Sequence, residues 1–71
     1  LMHTLDLHGK RHHEVDILVE NFILLNQNEV PLTIVCGNSS KMIDIVNEVI
    51  NRIKCETVVM DLYGVIKIRK I

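Results

Sequence analysis

A chain of 71 residues can build one hydrophobic core but not two, so residues 1–71 are expected to form one domain. Hydrophobic residues make up 48% and aromatic residues 3%, which excludes a disordered chain and predicts a core of Ile, Val, Leu and Met. A formal net charge of −1 excludes a grip on polyanions by bulk charge, and no apolar run approaches the ~20 residues of a membrane span, which predicts a soluble, cytoplasmic protein.

Residues 2–8 alternate, with Leu5 and Leu7 on one side and Thr4, Asp6 and His8 on the other, and Gly9 ends the run; this predicts a first strand. From about His12 to Gln27, Val15, Leu18, Val19, Phe22 and Leu25 recur at helical spacing until Pro31 bars continuation, which predicts a first helix. Ile17 and Leu24 fall on its far side. They either lie under an N-terminal extension or a protein partner or are scattered surface apolar residues, and a chain starting with Leu1 accommodates such an extension. Leu32–Cys36 is short, apolar and β-branched. The Gly37-Asn38-Ser39-Ser40 turn after it offers cap hydroxyls to a second helix, whose stripe is Met42, Ile43, Val46, Val49, Ile50 and Ile53. Residues 57–62 and 65–71 then read as two strands joined tightly through Tyr63-Gly64. Cys36 and Cys55 lack a CxxC spacing and are expected to be free thiols.

The order β-α-β-α-β-β predicts an α/β two-layer sandwich, a mixed four-stranded sheet with both helices on one face. Strand parity places Thr4, Asp6, His8, Thr33, Val35, Thr57, Val59, Asp61, Lys67 and Arg69 on the uncovered face. Charge is segregated: Lys10, Arg11, His12 and His13 form one basic cluster and Lys67, Arg69 and Lys70 another, while Glu14, Asp16, Glu20 and Glu29 lie between Gly9 and Pro31. Ordinary solvated faces account for such a pattern as readily as a binding surface does.

The chemistry-bearing residues gather at the carboxyl ends of the first two strands, where open sheets collect ligands. Asp6 and His8 share a face there, beside a glycine; imidazole transfers protons near neutral pH, and a carboxylate orients it. At the second turn, Ser39, Ser40 and Lys41 and the open N–H groups of the following helix supply donors for a phosphate, although either serine also serves as a simple cap. His8 and His12 stand four apart, but His8 precedes a glycine turn rather than lying in a helix and no second ligand pair is evident, so no protein-only metal site is expected.

The run Leu5-Asp6-Leu7-His8-Gly9, followed by Glu14 and a helix, resembles the LDLHG motif that opens Smr (small MutS-related) domains. Cys36-Gly37-Asn38-Ser39 stands where that family carries its second glycine signature, with Ser39 in place of the second glycine and Cys36 in place of a His or Thr. Tyr63-Gly64 resembles its closing hairpin. The resemblance spans essentially the whole chain. It implies the sandwich also found in the C-terminal domain of translation initiation factor three, with the last strand inserted antiparallel between strands two and three. It further implies nucleic-acid binding and endonuclease activity, with Asp6 and His8 as the catalytic candidates and Gly37 as the turn glycine. Gly9, Lys10, Arg11, Asn38, Ser39, Ser40, Lys41, Lys67 and Arg69 would then follow the DNA or RNA backbone, and magnesium or manganese is compatible with that chemistry. Three readings stand at this point: an endonuclease, a nucleic-acid-binding module that does not cleave, and a protein-interaction domain working through Ile17 and Leu24.

Overall fold

The computed structural model describes residues 3–58 and 62–71. Strand β1 (Thr4–Asp6) is shorter than the alternation predicts, because the Asp6 side chain accepts the His8 N–H and turns the chain out of the sheet; His8 lies in that turn and not on the strand. One further bond, Leu7 N–H to the Val35 carbonyl at 2.9 Å, carries the ladder past the last strand residue.

Helix α1 (His12–Leu25) starts where the Glu14 carboxylate reaches back to the Arg11 N–H, at 3.3 Å, and ends two residues before the expected Gln27. Its buried residues are Val15, Val19, Phe22 and Ile23, whereas Leu25 is 82% exposed and Leu18 only half-buried. The four-residue apolar run Phe22–Leu25 offers two candidate stripes. At 3.6 residues per turn Leu25 falls about 100° from the line through Val15 and Val19, while Ile23 falls beside it. Ile17 and Leu24 are exposed, as their positions require.

After a short 3₁₀ turn (Gln27–Glu29), β2 (Leu32–Val35) alternates buried Leu32 and Ile34 with half-buried Thr33 and Val35. Helix α2 (Ser40–Ile53) begins at Ser39, whose hydroxyl accepts the Met42 N–H at 3.1 Å, and ends at Lys54 in left-handed conformation, φ 67°. Its inward stripe, Met42, Val46, Val49 and Ile50, packs with that of α1 over the sheet. Across the outside of the two helices, Arg52 holds Asp16 with both guanidinium arms, at 2.8 and 3.2 Å, and Glu20 at 3.0 Å.

Strands β3 (Glu56–Val58) and β4 (Val65–Lys70) complete a sheet of order β1-β2-β4-β3, with β1 parallel to β2 and β4 antiparallel to both of its neighbours. This is the two-layer mixed sheet expected, with the last strand second from the edge. One parity fails. A bulge between Glu56 and Thr57 sets Thr57 opposite the fully buried Ile68 and Val58 opposite Lys67, so Val58 and not Thr57 shares the uncovered face. Val59 and Asp61, also expected on that face, lie outside the described residues.

Candidate nucleic-acid interface

Pairing fixes which side chains emerge on the face opposite the helices. Thr4 lies opposite Thr33 and Asp6 opposite Val35 across β1 and β2, and Thr33 lies opposite Lys67 across β2 and β4. All six of Thr4, Asp6, Thr33, Val35, Lys67 and Arg69 are exposed or half-buried, while their neighbours Leu32, Ile34 and Ile68 are sealed in the core. No cavity is found among the described residues.

At its carboxyl-end corner, one oxygen of Asp6 does two things. Oδ1 accepts the backbone N–H of His8 at 2.9 Å and faces His8 Nδ1 at 2.6 Å. A nitrogen that close to a carboxylate oxygen carries a proton, so Nδ1 donates, and in the neutral ring Nε2 keeps its lone pair. The two bonds, the backbone one above the ring one, hold the Asp6 carboxyl below the ordinary aspartate range. Both side chains remain mostly in water, at 66% exposure for His8 and 62% for Asp6.

The free edge of the imidazole lies over the second turn. A Cβ placed on Gly37 would come within 2.9 Å of His8 Nε2, and the residue has φ 73°, so its backbone favours glycine and any larger residue would displace the ring. Gly37 is seated from beneath by a residue the sequence assigns only to a hairpin turn. Gly64 gives its carbonyl to the Cys36 N–H at 2.6 Å, and any Cβ on Gly64 would collide with the Gly37 carbonyl. The chain of contacts His8–Gly37–Gly64 therefore joins three loops that are far apart in sequence. The one sequence signal for it is a glycine after Tyr63, which a turn alone explains.

The other expected residues divide. Gly9 has φ 78° with nothing near its missing Cβ, so it serves the turn and not an approach. Lys10, Arg11, Asn38, Ser40 and Lys41 are exposed around the two turns. The Ser39 hydroxyl is occupied as the cap of α2, and Arg69 is ion-paired with Glu56 on the bulged strand, so neither is unengaged. Lys67 is half-buried in the middle of the face with no ion-pair partner among the described residues. Cys36 is buried at 4% exposure, and burial raises its thiol pKa, which sets it apart from the exposed face.

Among the described residues no three His, Cys, Asp or Glu side chains gather as metal ligands. No helix of the described residues is long and apolar enough to cross a membrane. Comparison of the chain with protein-family models, with curated proteins and with solved structures yields no match.

Proposed function

We propose that this is an Smr-type domain that binds nucleic acid across the uncovered sheet face and cuts a phosphodiester bond with the Asp6–His8 pair. The observation that carries the reading is the orientation of His8: Nδ1–H is tied to Asp6 and Nε2 is presented at an exposed corner over a glycine turn. A base oriented by a carboxylate, on a side chain open to solvent, is what proton transfer from a nucleophile needs. The nucleophile, water or a ribose 2′-hydroxyl, gives its proton to Nε2 as its oxygen bonds to phosphorus. The bond to the leaving oxygen breaks, and the imidazolium, stabilised by Asp6, returns the proton to that oxygen. The N–H groups of Ser40 and Lys41, which have no acceptor within helix α2, offer charge stabilisation to the phosphate beside Gly37. Likeness of Leu5-Asp6-Leu7-His8-Gly9 to the Smr motif supports the same assignment.

Binding without cleavage is the second reading, and the donor inventory favours it. Arg69, one of the two cations expected on the sheet face, is spent on Glu56, which leaves Lys67 among the described residues of that face to meet the charge of a phosphorane. Incubation of the protein with labelled single-stranded RNA, single-stranded DNA and duplex at low salt, with and without magnesium or manganese, decides between them. Cleavage that falls about 10²- to 10⁴-fold in His8→Ala and Asp6→Ala supports the nuclease. Binding with no cleavage supports the second reading, and cleavage unchanged in both variants removes the pair from the mechanism.

A further inference from the structure

The chain contains one Tyr, one Phe and no Trp, and Phe22 is buried, which leaves Tyr63 as the single aromatic ring of this kind at the surface, 65% exposed. Its position is specific. Tyr63 precedes Gly64, which rests on the Gly37 carbonyl, and Gly37 lies under His8 Nε2; by bond lengths and these contacts the Tyr63 Cα stands no more than about 14 Å from that nitrogen. A short stretch of extended strand spans that distance. Leu62, beside it, is 66% exposed, so the tip of the hairpin presents an apolar surface next to the candidate catalytic corner.

Resting on the nucleic-acid reading above, we propose that Tyr63 is a stacking platform for an unpaired base and that the domain therefore selects single-stranded substrate. Duplex hides the faces of its bases in the helical stack, so a ring at an open surface finds a base to stack on only where the strand is unpaired. An uncovered sheet face with Lys67 in its middle and an exposed ring near its carboxyl-end corner matches the pattern that holds single strands, backbone along a face and base against a ring. Modest charge agrees with this: at net −1 the phosphate contacts are few, and stacking supplies what counterion release does not.

The test uses a short fluorescein-labelled oligouridylate or oligothymidylate and a hairpin duplex of the same length, titrated at low salt. Tyr63→Ala is expected to weaken single-strand binding by about 5- to 100-fold and duplex binding by less than about twofold, while Tyr63→Phe keeps the preference. Because the chain has no Trp and no other Tyr, intrinsic tyrosine emission reports Tyr63 alone and is expected to be quenched by the unlabelled single strand. Equal losses on both probes in Tyr63→Ala, or binding without quenching, overturn the platform and leave the nucleic-acid reading standing. A wild-type protein that binds neither probe overturns that reading itself. Circular dichroism of Tyr63→Ala separates lost binding from a lost fold.

Discussion

Two carboxylate pairs on the surface show how differently similar contacts are used. On the helix layer, Asp16 and Glu20 of α1 close around Arg52 of α2; the guanidinium is driven further above its ordinary pKa by Asp16 first and Glu20 second, and Asp16 is lowered in turn by its bonds to Arg52. There both oxygens of Asp16 and both terminal nitrogens of Arg52 are engaged within the protein. At the sheet corner, Asp6 takes up the backbone N–H and one ring nitrogen of His8, and the other ring nitrogen lies over Gly37. A pair built on arginine latches two helices; one built on a neutral histidine leaves a ring lone pair unused by the carboxylate.

The contrast breaks most visibly in activity. His8→Ala is expected to lose about 10²- to 10⁴-fold in phosphodiester cleavage, whereas Arg52→Met, which opens the helix latch, leaves the rate within about twofold; comparable losses in both would mean the corner acts through stability alone. Gly64→Ala comes next. Its Cβ collides with the Gly37 carbonyl at φ 81°, so a destabilisation of about 3 kcal/mol is expected in urea unfolding, with NMR shift changes centred on Gly37 and His8 and absent from the Asp16–Arg52 cluster. A neutral Gly64→Ala would show that the hairpin does not seat the turn. The smallest effect is the titration of Asp6. Its folded pKa is depressed, so the contribution of its ionised form is present above the ordinary aspartate value and disappears as pH falls through the lower folded one. Carboxyl-carbon NMR is expected to find Asp6 titrating below the usual range, and only partly restored in His8→Ala, since the larger cause is the His8 backbone N–H, which that variant keeps. Full restoration would assign the shift to the ring.

Where regular periods apply, the sequence was readable. The two-residue repeat of Leu5 and Leu7 set Asp6 outward, and Leu32 and Ile34 set Thr33 and Val35 outward, because a half-buried strand tolerates no other assignment. The element order led to the two-layer sandwich, and the place of the last strand was implied only by the resemblance to Smr domains. Phe22–Leu25 misled because four apolar residues in a row satisfy two helix phases and only packing against α2 chooses Ile23. The bulge between Glu56 and Thr57 carries no glycine or proline to announce it, and so it reversed the side assigned to Thr57. At the candidate site, Asp6 and His8 were legible as a local pair. The Gly64 seat was not, since a contact from residue 37 to residue 64 leaves no periodic trace. The engagement of Arg69 by Glu56 was hidden in the same way, by the register of a bulged strand.

The seat under Gly37 also fixes when, during synthesis, the corner becomes complete. Synthesis runs from the N-terminus, so the pentapeptide that carries the acid and the imidazole is made before the glycine that props the opposing turn and before the strand that fills the gap in the sheet. Until Gly64 and β4 dock, Gly37 lacks the contact that holds its turn against His8, so the corner is completed only with the last strand of the sheet.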